Sequence, residues 1–297
     1  MSDFLTANPS GPRRLRELLN ASEPIVAPGA YDALSARLIE AAGFPAVYMT
    51  GFGTSASYLG RPDVGLMTMA EMVDQARRIA LAVGVPVIAD ADTGYGNPIN
   101  VIRTVRAYEN AGLAAIHIED QIMPKKCGHM DGKQVIPAAE MVEKVRAAVA
   151  ARSSADFVIV ARTDARAVEG FDAALERCRR YQDAGGDVIF FEAPQTEDEI
   201  VAIAEAFRGT PLMFNWAEGG KTPPVSLSRL RDLGYKIVIF PISALLTAAR
   251  AIRGTLEAIK RDGIPDISRL LPFPEFLDFI GLPEIRELEQ RFTSQQP

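Results

Sequence analysis

Cysteine and histidine are the scarce residues of this 297-residue chain, two of each, and tryptophan occurs once. Two cysteines cannot make a disulfide framework, so a reducing, cytoplasmic setting is expected. No apolar run approaches the roughly 18 residues of a membrane span, so no membrane partner is expected. The opening "MSDFLTANPSGPRRLRELL" has no hydrophobic core and no cleavage site, and no secretory signal is expected. There is no long basic run and the net charge is −6, so nucleic acid is not an expected partner. No strand is followed by GxGxxG, which weakens a dinucleotide-binding reading; "GFGTSAS" is only a loose relative.

What is present is a repeat of strand and helix. A hydrophobic share of 48% with 24% charged residues describes a globular protein with ample core. Eight short apolar segments read as buried parallel strands: "EPIVAPGA" (23–30), "PAVYMTG" (45–51), "PVIADAD" (86–92), "AAIHIED" (114–120), "DFVIVART" (156–163), "DVIFFEA" (187–193), "PLMFN" (211–215) and "KIVIFP" (236–241). Stretches of helical spacing lie between them, such as "TMAEMVDQARRIALAVG". Several stop at glycine just before the next strand, as in "AAGFPAV" and "DAGGDVIFFE". Eight such units predict an α/β fold, a (β/α)8 TIM-type barrel, with a doubly wound sheet as runner-up. Residues 1–297 are expected to form a single barrel domain. About 243–297 serve as a helical C-terminal extension suited to subunit contact.

In a barrel the site lies where strands end. Alternation puts Asp90 and Asp92 on one face of the third strand, and His117 and Glu119 on one face of the fourth. Other strand ends carry Tyr48 and Thr50, Arg162 and Asp164, Glu192, and Asn215. Asp164, Thr163 and Asp120 also suit helix N-caps. Asp90, Asp92, Glu119 and Glu192 at one mouth would repel unless a cation joins them. All-oxygen donors suit Mg2+ or Mn2+ better than zinc, with water completing the shell. Arg162 and His117 would face an anion beside the ion. A salt bridge from Arg162 to Glu192 or Asp90 is the structural counterpart of that role.

The loop "PKKCGHMDGK" follows the fourth strand and overhangs the same mouth. Cys127 stands beside Lys125 and Lys126, whose charge is expected to lower the thiol pKa. Gly128 and Gly132 would let the loop move as a lid. Cys178, in "LERCRRYQDAG", reads as structural.

"KKCGH" after "HIED", with "DADTGYGNP" upstream and "ARTDA" downstream, resembles the isocitrate lyase/phosphoenolpyruvate mutase superfamily. "PGAYDALSARLIEAAGFPAVYMTG", "SASYLGRPDVG" and "NWAEGGKTP" extend the likeness to about residues 14–292. The likeness is greatest to the small lyase branch, with phosphonomutases of the carboxyvinyl-carboxyphosphonate type nearly as similar. It implies a barrel whose eighth helix is swapped between neighbours in a homotetramer. It also implies Mg2+ near Asp63, Asp90, Asp92 and Glu119, with Asp90 the direct ligand. A keto-acid carboxylate would be held by Thr50, Gly51 and Phe52. Arg162 would lie near the reacting oxygens, with His117, Glu192 and Asn215 around them and Gly128 among the substrate contacts. Cys127 is the mark of the lyases.

The implied reaction is Mg-dependent cleavage of a 2-hydroxy dicarboxylate to an α-keto acid and a carboxylate. The ion would acidify the substrate hydroxyl, and Tyr48 or a metal-bound hydroxide would accept its proton. Cys127 would act as general acid, while His129, Lys126 and Arg162 neutralise the departing carboxylate. Methylisocitrate lyases usually carry arginine in this loop. The lysines here, and "NWAEGGKTP" later, favour a dicarboxylate such as a substituted malate. Trp216 reads equally as core or as a pocket wall. A Schiff-base aldolase is rejected, because the strand-borne Lys236 lies at the wrong end of its strand. The alternatives kept are a phosphonomutase and an oxaloacetate hydrolase.

Overall fold

The computed structural model describes residues 11–293. Eight parallel strands close into a barrel in sequence order: β1 (Ile25–Ala30), β2 (Val47–Met49), β3 (Val87–Asp90), β4 (Ala115–Glu119), β5 (Val158–Thr163), β6 (Val188–Phe191), β7 (Leu212–Asn215) and β8 (Ile237–Phe240). Closure is made by β1 against β8, where Ile25 pairs with Ile237 and Pro28 with Phe240. Every segment expected to be a strand is one, trimmed at its ends.

Two cores follow from period-2 alternation. The outward residues, such as Val47, Ile116, Ile118, Ile159 and Ile189, pack under the helical shell. The inward residues Ile88, Ala115, Val158, Val160, Val188 and Met213 fill the barrel interior with Leu15 and Leu19. Those leucines belong to the helix Gly11–Asn20, which is amphipathic at a period of 3.6. Arg16 of that helix and Arg152 both grip Asp187, at 2.8 and 2.6 Å, and Asp187 also accepts the Ile159 N–H at 2.8 Å.

The inward column changes chemistry along each strand. It runs Ile88 then Asp90 on β3, Ala115 then His117 then Glu119 on β4, and Val160 then Arg162 on β5. Apolar residues thus fill the base and polar ones converge on the C-terminal mouth, where βα loops can add to them. Asp92 lies beyond the end of β3 at φ +47, so alternation on a strand is not what aims it.

A barrel unit runs to Leu245 and a helical unit follows from Leu246. The latter contains most of the helix Ser243–Asp262, then the helices Phe273–Phe279 and Leu282–Phe292. No helix among the described residues is long and apolar enough to cross a membrane.

Candidate active site

A cavity of about 200 Å3 opens at the C-terminal mouth. Asp63, Asp90, Lys125, Cys127, Arg162 and Glu192 line it, together with Tyr48, Thr50, Phe52, His129 and Asn215. The structure therefore brings together most of the residues singled out from the sequence. Glu119 and His117 stand just behind this lining, fully buried, through Arg162 and Tyr48 respectively.

Two side-chain cations join the carboxylates. Lys125 Nζ lies 2.6 Å from Asp63 and 2.7 Å from Asp92. Arg162 donates to Asp164 through Nε at 2.9 Å and Nη2 at 3.1 Å, and its Nε lies 3.2 Å from Glu119. Glu192 is 3.8 Å from Arg162 Nη2. The convergence of acids thus has an internal answer that alternation does not reach, because Lys125 sits on a loop. Burial depresses an ammonium, yet the carboxylates around Lys125 hold its pKa well above the usual lysine range.

The carboxyls differ sharply. Burial raises each of them. At Asp90 the charges of His117, Lys125 and Arg162 overcome that and leave its pKa lowered. At Asp92 burial prevails over Lys125 and takes the pKa to about 6. At Glu119 burial prevails even over Arg162, and the pKa rises well above the usual range. Asp90 Oδ1 accepts the Asp92 N–H at 2.9 Å. Gly51 opens the helix Gly51–Leu59 directly against Asp90: a Cβ there would stand 2.3 Å from Oδ2. Thr50 caps that helix through Gly53 N–H at 3.2 Å.

Tyr48 hydroxyl and His117 Nε2 are 2.8 Å apart. Burial keeps the phenol protonated well above its ordinary range and takes the His117 pKa down to about 4. Both are therefore neutral near pH 7. A phenol so held is a hydrogen-bond donor.

The loop after β4 is folded over the mouth. Gln121 clamps it by accepting the Lys126 N–H at 2.9 Å and donating to Lys126 C=O at 2.7 Å. The Cys127 N–H donates to Asp63 C=O at 3.2 Å. His129 Nδ1 accepts the Lys221 N–H at 3.1 Å, so the ring proton sits on Nε2, 3.3 Å from Glu192. Asn215 Nδ2 donates to Glu192 at 3.2 Å.

Two expectations for this loop need correction. The neighbouring lysines do not lower the Cys127 pKa: burial pushes the half-buried thiol up to about 11. Lys125 is spent on Asp63 and Asp92, and Lys126 turns away to donate to Gly132 C=O at 2.9 Å. The cation at the cavity is therefore Lys125, while Lys126 stays within its own loop. Adjacent lysines in a loop carry no periodic signal to tell them apart.

Asp164 forms no side-chain N-cap and Asp120 bonds across to β5, whereas Thr163 Oγ1 does accept the Ala165 N–H at 3.2 Å where the short turn after β5 begins. Asp120 accepts from Thr163 Oγ1 at 2.7 Å, Asp164 N–H at 2.9 Å, Tyr181 hydroxyl at 2.7 Å and Arg177 at 3.2 Å. Lys133 donates to Asp164 at 2.8 Å and also to Gly128 C=O. Lys133 and Gln121 escaped sequence reasoning, since nothing local marks a loop side chain as buried. Trp216 is partly buried against the core: its ring lies tilted against Phe240 and its indole N–H donates to Val225 C=O at 3.0 Å. Cys178 is fully buried in the helix Phe171–Asp183, as expected.

The chain matches the family described as phosphoenolpyruvate phosphomutase over residues 15–260. It is 50% identical over 285 residues to a 2,3-dimethylmalate lyase of Eubacterium barkeri, covering 95% of this chain and 98% of that one. Among solved structures it resembles an oxaloacetate acetylhydrolase in complex with 3,3-difluorooxalacetate. The TM-score is 0.92 at 39% identity, over 96% of this chain and 98% of that one. It also resembles a phosphonopyruvate hydrolase complexed with oxalate and Mg2+. There the TM-score is 0.86 at 33% identity, over 95% and 99% of the two chains.

Proposed function

The chain belongs to the phosphoenolpyruvate mutase/isocitrate lyase superfamily and is a carbon–carbon lyase, and on that premise we propose that it cleaves a substituted malate. The products are an α-keto acid, pyruvate for 2,3-dimethylmalate, and a shorter carboxylate. The observation that carries this reading is Cys127: a thiol held protonated, on a loop folded over the acidic mouth, across from Arg162 and Glu192.

The donor set fits Mg2+ held largely through water. Among the described residues, no group of three or more His, Cys, Asp or Glu side chains is arranged to grip a metal. Mg2+ needs only one or two carboxylates when it keeps its waters. Asp90 lines the cavity as the ionised carboxylate, and buried Glu119 Oε1 has no hydrogen-bond partner. Asp90 would hold the ion directly, with Asp63, Asp92 and Glu119 around its waters. When bound, it supplies Lewis-acid polarisation of the substrate's hydroxyl and carboxylate oxygens.

The protein groups then divide the work. Thr50, Gly51 and Phe52, at the start of the helix Gly51–Leu59, hold the keto-acid carboxylate. The hydroxyl loses its proton to a carboxylate at the cavity floor, and the C2–C3 electron pair passes to the departing fragment. Arg162, fixed by Asp164, stabilises the charge that gathers there. His129, Asn215 and Glu192 orient that fragment, and Cys127 delivers a proton to its carbon. A general acid should be neutral until used, and a raised thiol pKa meets that need better than a lowered one. A phosphonomutase would have no use for this proton.

The test is keto-acid release from 2,3-dimethylmalate, followed by coupling to lactate dehydrogenase, with oxaloacetate cleavage read by its own absorbance. Cys127→Ser is expected to lower release by about 10²–10⁴-fold. Release undiminished by Cys127→Ser would sink the assignment of the acid. Turnover of oxaloacetate alone would make the enzyme a hydrolase, the reading favoured by its likeness to oxaloacetate acetylhydrolase.

We further propose a helix-swapped homotetramer in the cytoplasm. Exposed Ile252, Leu256, Ile267 and Phe273 on the helical unit offer apolar surface for such contacts. The two cysteines are free, which suits a reducing compartment. Light scattering of the purified protein reads the mass directly.

A further inference from the structure

Lys133 is a buried cation at the stem of the loop, with its side chain 1% exposed. A buried ammonium is costly unless it is paired and fully hydrogen-bonded. Its partners are Asp164 Oδ1 at 2.8 Å and the carbonyl of Gly128, the residue next to Cys127. Gly128 is itself pressed against the mouth. A Cβ there would lie 2.1 Å from Glu192 Oε1 and 2.5 Å from Arg162 Nη2, so any larger residue would push these two side chains aside. Asp164 meanwhile grips Arg162 with both oxygens, and its N–H is anchored on Asp120 at 2.9 Å.

We propose that Lys133 is the latch of the loop: by bridging Gly128 C=O to Asp164 it holds Cys127 over the mouth in register with Arg162. One carboxylate, Asp164, then sets the direction of Arg162 and the height of the loop together. Lys133 is a positioning residue, since it acts through Gly128 and Asp164 and does not line the cavity. The inference rests on the proposed function only for its effect on turnover. The seating of the loop can be read without any substrate.

The chain carries its own reporter pair. Cys127 is half-buried on the loop and Cys178 is fully buried in the shell. Alkylation by iodoacetamide at pH 8, mapped by peptide mass spectrometry, reads both thiols in one experiment. In Lys133→Met, which keeps most of the side-chain volume, Cys127 is expected to label at least about tenfold faster, because a released thiol recovers access to the reagent. Cys178 should remain as slow as in the unaltered protein. Equal acceleration of both cysteines would mean general loosening and would overturn the latch. So would no acceleration at either. If Lys133→Met does not fold, Asp164→Asn weakens the same bridge, and the same selective labelling of Cys127 is required of it. A failure of the lyase reading leaves these labelling rates untouched, so the two can be told apart.

Discussion

Glu119 and Asp120 are neighbours in the chain, as are Arg162 and Thr163, yet each pair is split between two networks. Arg162 lines the cavity with Glu119 directly behind it, while Asp120 and Thr163 point outward under the helix Phe171–Asp183. The outward network is saturated. Both Asp120 oxygens are taken, and Arg177 also grips Glu169 at 2.7 and 2.6 Å. The inward one is left incomplete: Glu119 Oε1, His117 Nδ1 and Asn215 Oδ1 are buried without hydrogen-bond partners. Buried polar atoms are normally satisfied, so a cluster of exceptions marks a place awaiting something from outside. The difference separates a network built for stability from one built for a ligand.

The sharpest way to break this contrast is Asp120→Ala, which strands the Thr163, Tyr181 and Asp164 donors in the shell. A loss of about 3–5 kcal/mol is expected, read as a lower urea midpoint at constant slope. An unchanged midpoint would show that the outward network is not structural. Next comes Asp90→Asn at the mouth. Keto-acid release should fall by at least about 10²-fold, roughly 3 kcal/mol, while the urea midpoint falls less than in Asp120→Ala, the lowered Asp90 pKa showing that its charge is favoured in the fold. An Asp90→Asn protein destabilised as much as Asp120→Ala would erase the distinction between the networks.

The smallest effect is in pH. The Cys127 pKa is raised in the folded state, so its protonated burial contributes stability below the ordinary thiol range. That contribution is lost as pH climbs from there to about 11. Alkylation of Cys127 in the intact protein should accordingly have a midpoint near 11. A midpoint below the free-thiol value of about 8.5 would return the loop to the lysine-activated thiolate expected from its neighbours.

The barrel and most of its mouth were legible in advance. A β-strand turns successive side chains to opposite faces, so the last inward residues of β3 to β7 could be named from spacing alone. Legibility stopped where the strands stopped. Asp92 lies past β3 in a left-handed turn, and Asp120 was equally consistent with a cap. The protonation state of Cys127 was misjudged because nearness in sequence to two lysines was read as nearness in space.

The sequence by itself determined eight parallel strands, their polar tips, and a glycine-bearing loop with a thiol above them. Those follow from local geometry and from the burial of apolar residues. Only the tertiary structure decided which of two adjacent lysines faces the cavity. Lys125 does so because Asp63, 62 positions earlier, is brought within 2.7 Å of it. The same holds for Lys133 and Asp164, 31 positions apart and 2.8 Å from each other. A buried charge must find its partner wherever the fold supplies one, and that choice is written in no local pattern.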